Sequence, residues 1–419
     1  MSGEMQIPLL QLVASISNTT DLMSPLLADH HKRVAYIAFS IARQLGLPYK
    51  ECKAILMAGA LHDLGALSLT ERINALSFEA RDPHRHAESG YRLLKLLPPF
   101  ADIASMIRYH HVAWNHGAGS EHAGLPVSEH SHILHLADRI AVVISRPDAG
   151  NDPAAAVVAA IRQLSGREFM PAHVEAFADL AGREYFWLDI RYHLNALFLQ
   201  QMANDETMVF DNQAMIALAQ FFARLIDFRS PFTATHSSGV AASAAAIAAE
   251  MAFSQQECLT MEIAGCLHDL GKLAVPAEIL EKPGRLTVPE WRIIKAHTYH
   301  GYRALEPIAA MRTINEWGSF HHERLDGKGY PFHHDRRRLS LGSRIMAVAD
   351  FFTATTEDRP YRKGMKSDEV LRLLKRLCLD GALDAHVVSV VEKRFADINY
   401  QRIAAQQTSS ASYQLFAGQ

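Results

Sequence analysis

The chain has 419 residues, 49% of them hydrophobic, enough for two or three domains with cores of their own. Lys and Arg number 42 against 45 Asp and Glu, so no global positive field draws a nucleic acid polymer and no acidic excess signals disorder. No run reaches the roughly 18 to 20 apolar residues of a membrane span, the start MSGEMQIPLL has no basic segment ahead of a long apolar one, and four scattered cysteines form no CxxC pair, so a reducing cytoplasm is expected.

In chain order, the first predicted elements are helices. Residues 34–46 carry apolar side chains at 3.6-type spacing, with His30 just before them. Leu61-His62-Asp63-Leu64-Gly65 follows, then His86, the pair His110-His111, and Asp138. Residues 181–208, around Tyr185-Phe186-Trp187, read as an amphipathic connecting helix. The series then repeats. His30 and His62-Asp63 recur 206 residues on as His236 and His268-Asp269. His86 and His110-His111 recur 211 on as His297 and His321-His322, and Asp138 recurs 212 on as Asp350. Residues 240–251 and 368–379 share the helical spacing, while strand-like alternation between turn pairs is hard to find. Two tandem homologous domains are therefore expected, over residues 1–180 and 209–400, in an all-α fold. Residues 401–419, rich in Gln, Ser and Ala, are expected to fray.

The chain's 23 histidines fall often in pairs or beside Asp, and neutral imidazole is the commonest protein metal ligand. In the second copy, a helix through residues 268–272 sets His268 and Lys272 one turn apart and Asp269 about 100° round, so that all three address one cavity. His236, His268, Asp269, His297, His321, His322 and Asp350 make seven ligands. That is too many for one tetrahedral ion and suits two octahedral ions sharing Asp269. Such a pair clamps the attacking and leaving oxygens of an in-line phosphoryl displacement. The plainer alternative is a set of satisfied core histidines.

His236, the HDxGK run at 268–272, His297, HHExxDGxGYP at 321–331, residues 344–350 and Arg359-Pro360-Tyr361 together resemble the HD-GYP subgroup of the HD superfamily, over about residues 209–400. The resemblance implies a phosphodiesterase that hydrolyses cyclic di-GMP to pGpG and GMP. It implies two divalent transition-metal ions, iron or manganese first and nickel, cobalt or zinc as alternatives, on the seven residues above with Asp269 bridging. It makes Asp269 and Lys272 catalytic, with Lys272 on the scissile phosphate. Arg359 and Arg362 match positions that hold substrate phosphates, and Gly329-Tyr330-Pro331 would shape the cavity rim or a surface for a diguanylate cyclase (GGDEF) partner. Some members prefer 3',3'-cyclic GMP-AMP, and the alternative from another class is a catalytically silent cyclic dinucleotide receptor. A homodimer is compatible with either. Members with a third metal carry Glu one turn before the first histidine; Phe232 stands there, so two ions are expected.

The first copy keeps His30, His62, Asp63, His86, His110, His111 and Asp138, but has Ala66 at the place of Lys272 and no GYP triplet after His111. It resembles a divergent HD domain, readable as a degenerate regulator of the second, a metal-bound sensor, or a hydrolase of different specificity. His116, His122, His130, His132 and His135 match no ligand position and are expected to face solvent or serve structure. No receiver, PAS or membrane sensor segment is apparent, so regulation is expected through this domain, the connecting helix or an oligomer.

Overall fold

The computed structural model of the chain describes residues 4–22, 29–66, 83–145, 153–195, 207–227, 235–282, 284–358 and 363–417. The chain divides into two compact units, Pro8–Glu206 and a second one that joins Met1–Ile7 to Thr207–Gln419.

Each unit runs through the same order of helices. In the first these are His30–Gln44, Tyr49–Leu61, Pro83–Leu94, Ala101–Arg108, Glu129–Ile144, Pro153–Arg162 and Pro171–Ala181. In the second they are His236–Glu250, Gln255–Leu267, Val288–Leu305, Arg312–Ser319, Leu341–Thr356, Ser367–Leu379 and Ala385–Lys393. The all-α expectation holds: strands among the described residues are short, Met5–Pro8 pairing with Thr207–Phe210 and Glu121–His122 with Leu125–Pro126.

The second helix pair shows why the sequence folds this way. His236–Glu250 buries Val240, Ala241, Ala244, Ile247 and Ala248, and a tight turn sends the chain back along Gln255–Leu267, whose start is fastened by a Ser254–Glu257 capping box. The two backbones nearly touch, since a Cβ added to Gly265 would lie 2.5 Å from Ala241 Cα. Gly59 and Ala35 repeat this in the first unit at 2.7 Å. Because the paired helices are antiparallel, the N-terminus of one, carrying His236 or His30, lies beside the C-terminus of the other, carrying the His-Asp dipeptide.

Three local features differ from expectation. The run at 268–272 is not one α-helix: Gln255–Leu267 ends, Asp269 adopts φ −97° and ψ 12°, and Leu270–Ala274 continues as a 3-10 turn. The cause is packing, because a Cβ on Gly271 would stand 1.8 Å from the His297 carbonyl, and only glycine lets the chain bend against that helix. The Gln-, Ser- and Ala-rich stretch from 402 lies in the helix Phe395–Ala417, which packs on His236–Glu250 instead of fraying. In the stretch expected to be one connecting helix, which falls within the first unit, Glu184–Leu188 is α-helical and Asp189–His193 a π-turn, while residues 196–206 lie outside the described ones.

Candidate active site

In the second unit the helix ends described above converge with Val288–Leu305, the end of Arg312–Ser319 and Leu341–Thr356, and all seven predicted ligands meet there. They form two triads. His236, His268 and Asp350 put one donor atom each within 4.8 Å of one another, and His297, His321 and His322 do the same. Asp269 lies between them, with Oδ2 3.1 Å from His268 Nε2 and Oδ1 3.3 Å from His297 Nε2.

The imidazoles are oriented by their second nitrogen. His268 Nδ1 donates to Gly265 O at 2.7 Å, His297 Nδ1 to Ile294 O at 2.5 Å and His321 Nδ1 to Gly318 O at 2.7 Å. His236 Nδ1 donates to the buried Glu357 carboxylate at 3.1 Å. Each Nε2 lone pair is thereby turned inward, the arrangement typical of metal-ligating histidine. His268 Nε2 is buried and makes no hydrogen bond, an orphaned acceptor that a cation would satisfy. Burial holds His321 well below the usual imidazole range and brings His322 down to about 4, so both are neutral donors at pH 7. Burial opposes the Asp269 anion, yet His268 and Lys272 keep it well below the ordinary carboxylate value. The donor set thus fits divalent metal.

Lys272, on the 3-10 turn, sets Nζ 2.6 Å from Asp269 Oδ2. Burial disfavours its charge, but Asp269 first and then Asp350 and Asp227 raise its pKa, so the ammonium is retained at the site. The motif that ends at Pro331 is mostly a fastening device. Buried Glu323 accepts from the backbone of Phe332 at 2.7 Å and His334 at 2.9 Å. Asp326 pairs with Arg324 and accepts from Lys328 N at 3.0 Å. Gly329 leaves no room for a Cβ, with Glu323 Cα only 2.4 Å away. The strap so held lays Tyr330 against His322, ring centroids 4.9 Å apart, and carries on into Pro331. Arg359, Arg362 and Phe232 lie outside the described residues.

Sequence reasoning missed Glu357 and Glu323. Glu357 stands two helical turns after Asp350, hence on the same face, which was the available signal; Glu323 sits inside the motif itself.

The first unit repeats the geometry. His62 Nδ1 donates to Gly59 O at 2.8 Å and His110 Nδ1 to Ile107 O at 2.6 Å. Asp63 places Oδ2 3.3 Å from His62 Nε2 and Oδ1 3.1 Å from His86 Nε2. Asp63, His86, His110 and His111 form one donor group, and His30, His62 and Asp63 another. Two things differ. Ala66 is fully buried where the second unit has its lysine, and a buried Arg139 pairs with Asp138. His132 and His135 are buried and structural, His132 Nε2 meeting Gly119 O at 3.1 Å and His135 packing edge-on to Phe169. His130 pairs with Glu51, and His116 and His122 are exposed.

Comparison with known proteins agrees with this doubled geometry. The HD domain family matches the chain twice, over residues 27–142 and 220–387. A Vibrio cholerae serotype O1 protein named 3'3'-cGAMP-specific phosphodiesterase 1 is 30% identical over 405 residues, spanning 93% of this chain and 92% of that protein. A Pseudomonas aeruginosa cyclic di-GMP phosphodiesterase is 40% identical over 144 residues, 34% of each. A solved structure of a cyclic GMP-AMP specific phosphodiesterase from V. cholerae shares the fold, with a TM-score of 0.65 over 94% of this chain and 98% of that one, at 24% identity.

Proposed function

The chain belongs to the HD-domain family of cyclic dinucleotide phosphodiesterases, and from that premise we propose that its second unit is an HD-GYP-type centre hydrolysing cyclic di-GMP to pGpG or GMP. The observation that carries this reading is the pair of triads joined by Asp269 with the Lys272 ammonium beside it. His236, His268 and Asp350 would hold one divalent cation and His297, His321 and His322 another, with Asp269 placed to serve both. Bound there, iron or manganese supplies Lewis-acid stabilisation of the charge that develops on the phosphoryl oxygens.

The protein's own groups do the rest. Lys272 donates to a non-bridging oxygen of the scissile phosphate in a pocket where burial strengthens every charge interaction. Glu357 and the three backbone carbonyls keep the imidazoles from rotating, so little reorganisation accompanies reaction. The Tyr330 strap walls the His322 side of the site. Arg359 and Arg362 are proposed to hold the remaining phosphate, and the strap to present a surface to a diguanylate cyclase partner.

A second reading is 3',3'-cyclic GMP-AMP as substrate, favoured by the relative that spans nearly the whole chain. The scissile bond is the same, so the site chemistry is shared. No helix of the described residues is long and apolar enough to cross a membrane, which suits the proposed cytoplasmic setting. The test is turnover of cyclic di-GMP, 3',3'-cyclic GMP-AMP and cyclic di-AMP by metal-reconstituted protein, with products separated by chromatography. Hydrolysis abolished by Asp269→Asn is expected; no hydrolysis of any of the three rules the reading out.

A further inference from the structure

Beside the second unit's His297 triad lies a row of side chains that metal and phosphate chemistry leaves unused. Trp291 and Lys295 stand one turn apart on the helix Val288–Leu305, just ahead of His297. Lys295 Nζ lies 5.7 Å from the Trp291 ring centroid and 5.2 Å from that of Tyr330. Tyr330 in turn rests on His322. Trp291 is 46% exposed although its indole is among the largest apolar surfaces in the chain, whereas Lys295 and Tyr330 are half-buried. Among the described residues no carboxylate pairs with the Lys295 ammonium.

A half-buried cation between two aromatic faces, without a counter-ion and one ring away from the metal triad, is arranged for a flat ligand that is rich in acceptors at one edge. A purine stacks on an exposed indole for about 1–3 kcal/mol. The edge it turns toward Lys295 then decides which purine is accepted. Guanine presents two acceptors, O6 and N7, and lysine is one of the two side chains that read them; adenine keeps the N7 acceptor but puts the N6 amine, a donor that an ammonium repels, in place of O6. The first unit has Ala80 and His84 at these places in register and no GYP tyrosine, so the row belongs to the second unit alone.

Building on the function proposed above, we infer that Trp291, Lys295 and Tyr330 seat one guanine base of the dinucleotide, with Trp291 stacking on the base and Lys295 distinguishing guanine from adenine. Tyr330 is the spacer that orients the nucleotide from this seat toward the His322 side of the centre.

The test compares kcat/KM for cyclic di-GMP and cyclic di-AMP in the full-length, metal-reconstituted protein and in Lys295→Met, Lys295→Arg and Trp291→Ala. Lys295→Met is expected to lower the guanine-to-adenine ratio by roughly 5- to 150-fold, the worth of a two-acceptor base contact. Lys295→Arg, which keeps the donors, is expected to retain the preference, and Trp291→Ala to raise KM for both substrates with little change in the ratio. A loss in Lys295→Met that is equal for both substrates makes Lys295 a phosphate contact and overturns the seat; so does an unchanged ratio. GMP and AMP titrated by tryptophan fluorescence separate this outcome from failure of the reaction itself. GMP binding tighter than AMP in the parent, with the difference lost in Lys295→Met, upholds the seat even if no cyclic dinucleotide is cleaved. Equal binding of GMP and AMP by the parent refutes it even if cleavage is seen.

Discussion

Lys272 and Ala66 occupy the same register position three residues after the His-Asp aspartate, one with an ammonium on Asp269 and the other fully buried and apolar. All other donor positions recur in both units, so this pair isolates the proposed phosphate contact from the proposed metal ligation. Removing a single charge-stabilising donor from such a site costs about 10²–10³ in kcat. Lys272→Met is accordingly expected to reduce turnover of the cyclic dinucleotide about 10²–10³-fold while the metal content stays that of the parent. Both are measurable on one preparation by product chromatography and elemental analysis. A variant that loses metal along with activity would make the lysine part of the ligand scaffold instead.

At the scale of elements, the glycine after each His-Asp dipeptide governs how closely the next helix approaches. A Cβ on Gly271 would lie 1.8 Å from His297 O and 2.5 Å from Gly301 N, and one on Gly65 would lie 2.1 Å from His86 O and 2.3 Å from Gly90 N. Gly271→Ala must push Val288–Leu305 outward and take His297 with it, an overpacking change that costs about 1–3 kcal/mol or more. The expected result is a lower thermal midpoint and weaker metal retention on dialysis against a chelator; a parent-like midpoint and metal content would show that the helix has slack. This contact also marks where the sequence stopped being legible. The offset repeat placed His236, His268, Asp269, His297, His321, His322 and Asp350 in one site because ligand identity and helical spacing are written in single letters. It could not show that the helix breaks at Asp269, because that break comes from a backbone contact between segments distant in sequence, Gly271 against His297. Nor could it show that Glu323 binds the strap or that Lys295 lies between two rings, since both depend on how a loop folds back on a helix.

For the whole molecule, buried imidazoles of opposite tendency set the pH response of the metal-free chain. Burial brings His110 and His135 down to about 3 and His322 to about 4, against roughly 6.5 in an unfolded chain. Below pH 6.5 the unfolded state therefore binds more protons, and stability falls as pH falls toward 4. His62 and His236 behave in reverse: burial opposes their charge, but Asp63 raises His62 to about 9, and Glu357 with Asp350 raises His236 to about 10. Their contribution is complete below pH 6.5 and is lost as pH rises through 9 to 10. The thermal midpoint of metal-free protein is thus expected to be highest near pH 6.5 and lower at both pH 5 and pH 9. A midpoint that climbs steadily from pH 5 to 9 would contradict these environments. Metal must displace the protons on His62 and His236, so its affinity should rise with pH over the same alkaline range.

That both units show this behaviour bears on what the first one does. His62 and His110 keep their carbonyl anchors, and His30 and His110 each leave a buried Nε2 without a hydrogen bond. Leaving such atoms unpaired costs about 1–3 kcal/mol each, a standing penalty that a bound cation removes. The buried Arg139 on Asp138 adds a fixed positive charge beside the His30 and His62 donors, which favours the other group, Asp63, His86, His110 and His111, as the place for the ion. With Ala66 in place of a lysine, an ion held there has no ammonium beside it to stabilise a phosphoryl group. Metal without turnover is therefore the expectation for the first unit. Asp63→Ala should lower the metal bound per chain while cyclic dinucleotide hydrolysis persists, whereas Asp269→Ala should lower metal and abolish hydrolysis together. Elemental analysis and product chromatography on the two variants decide it: unchanged metal in Asp63→Ala leaves the first unit an empty scaffold, and lost hydrolysis makes its ion a requirement of the second.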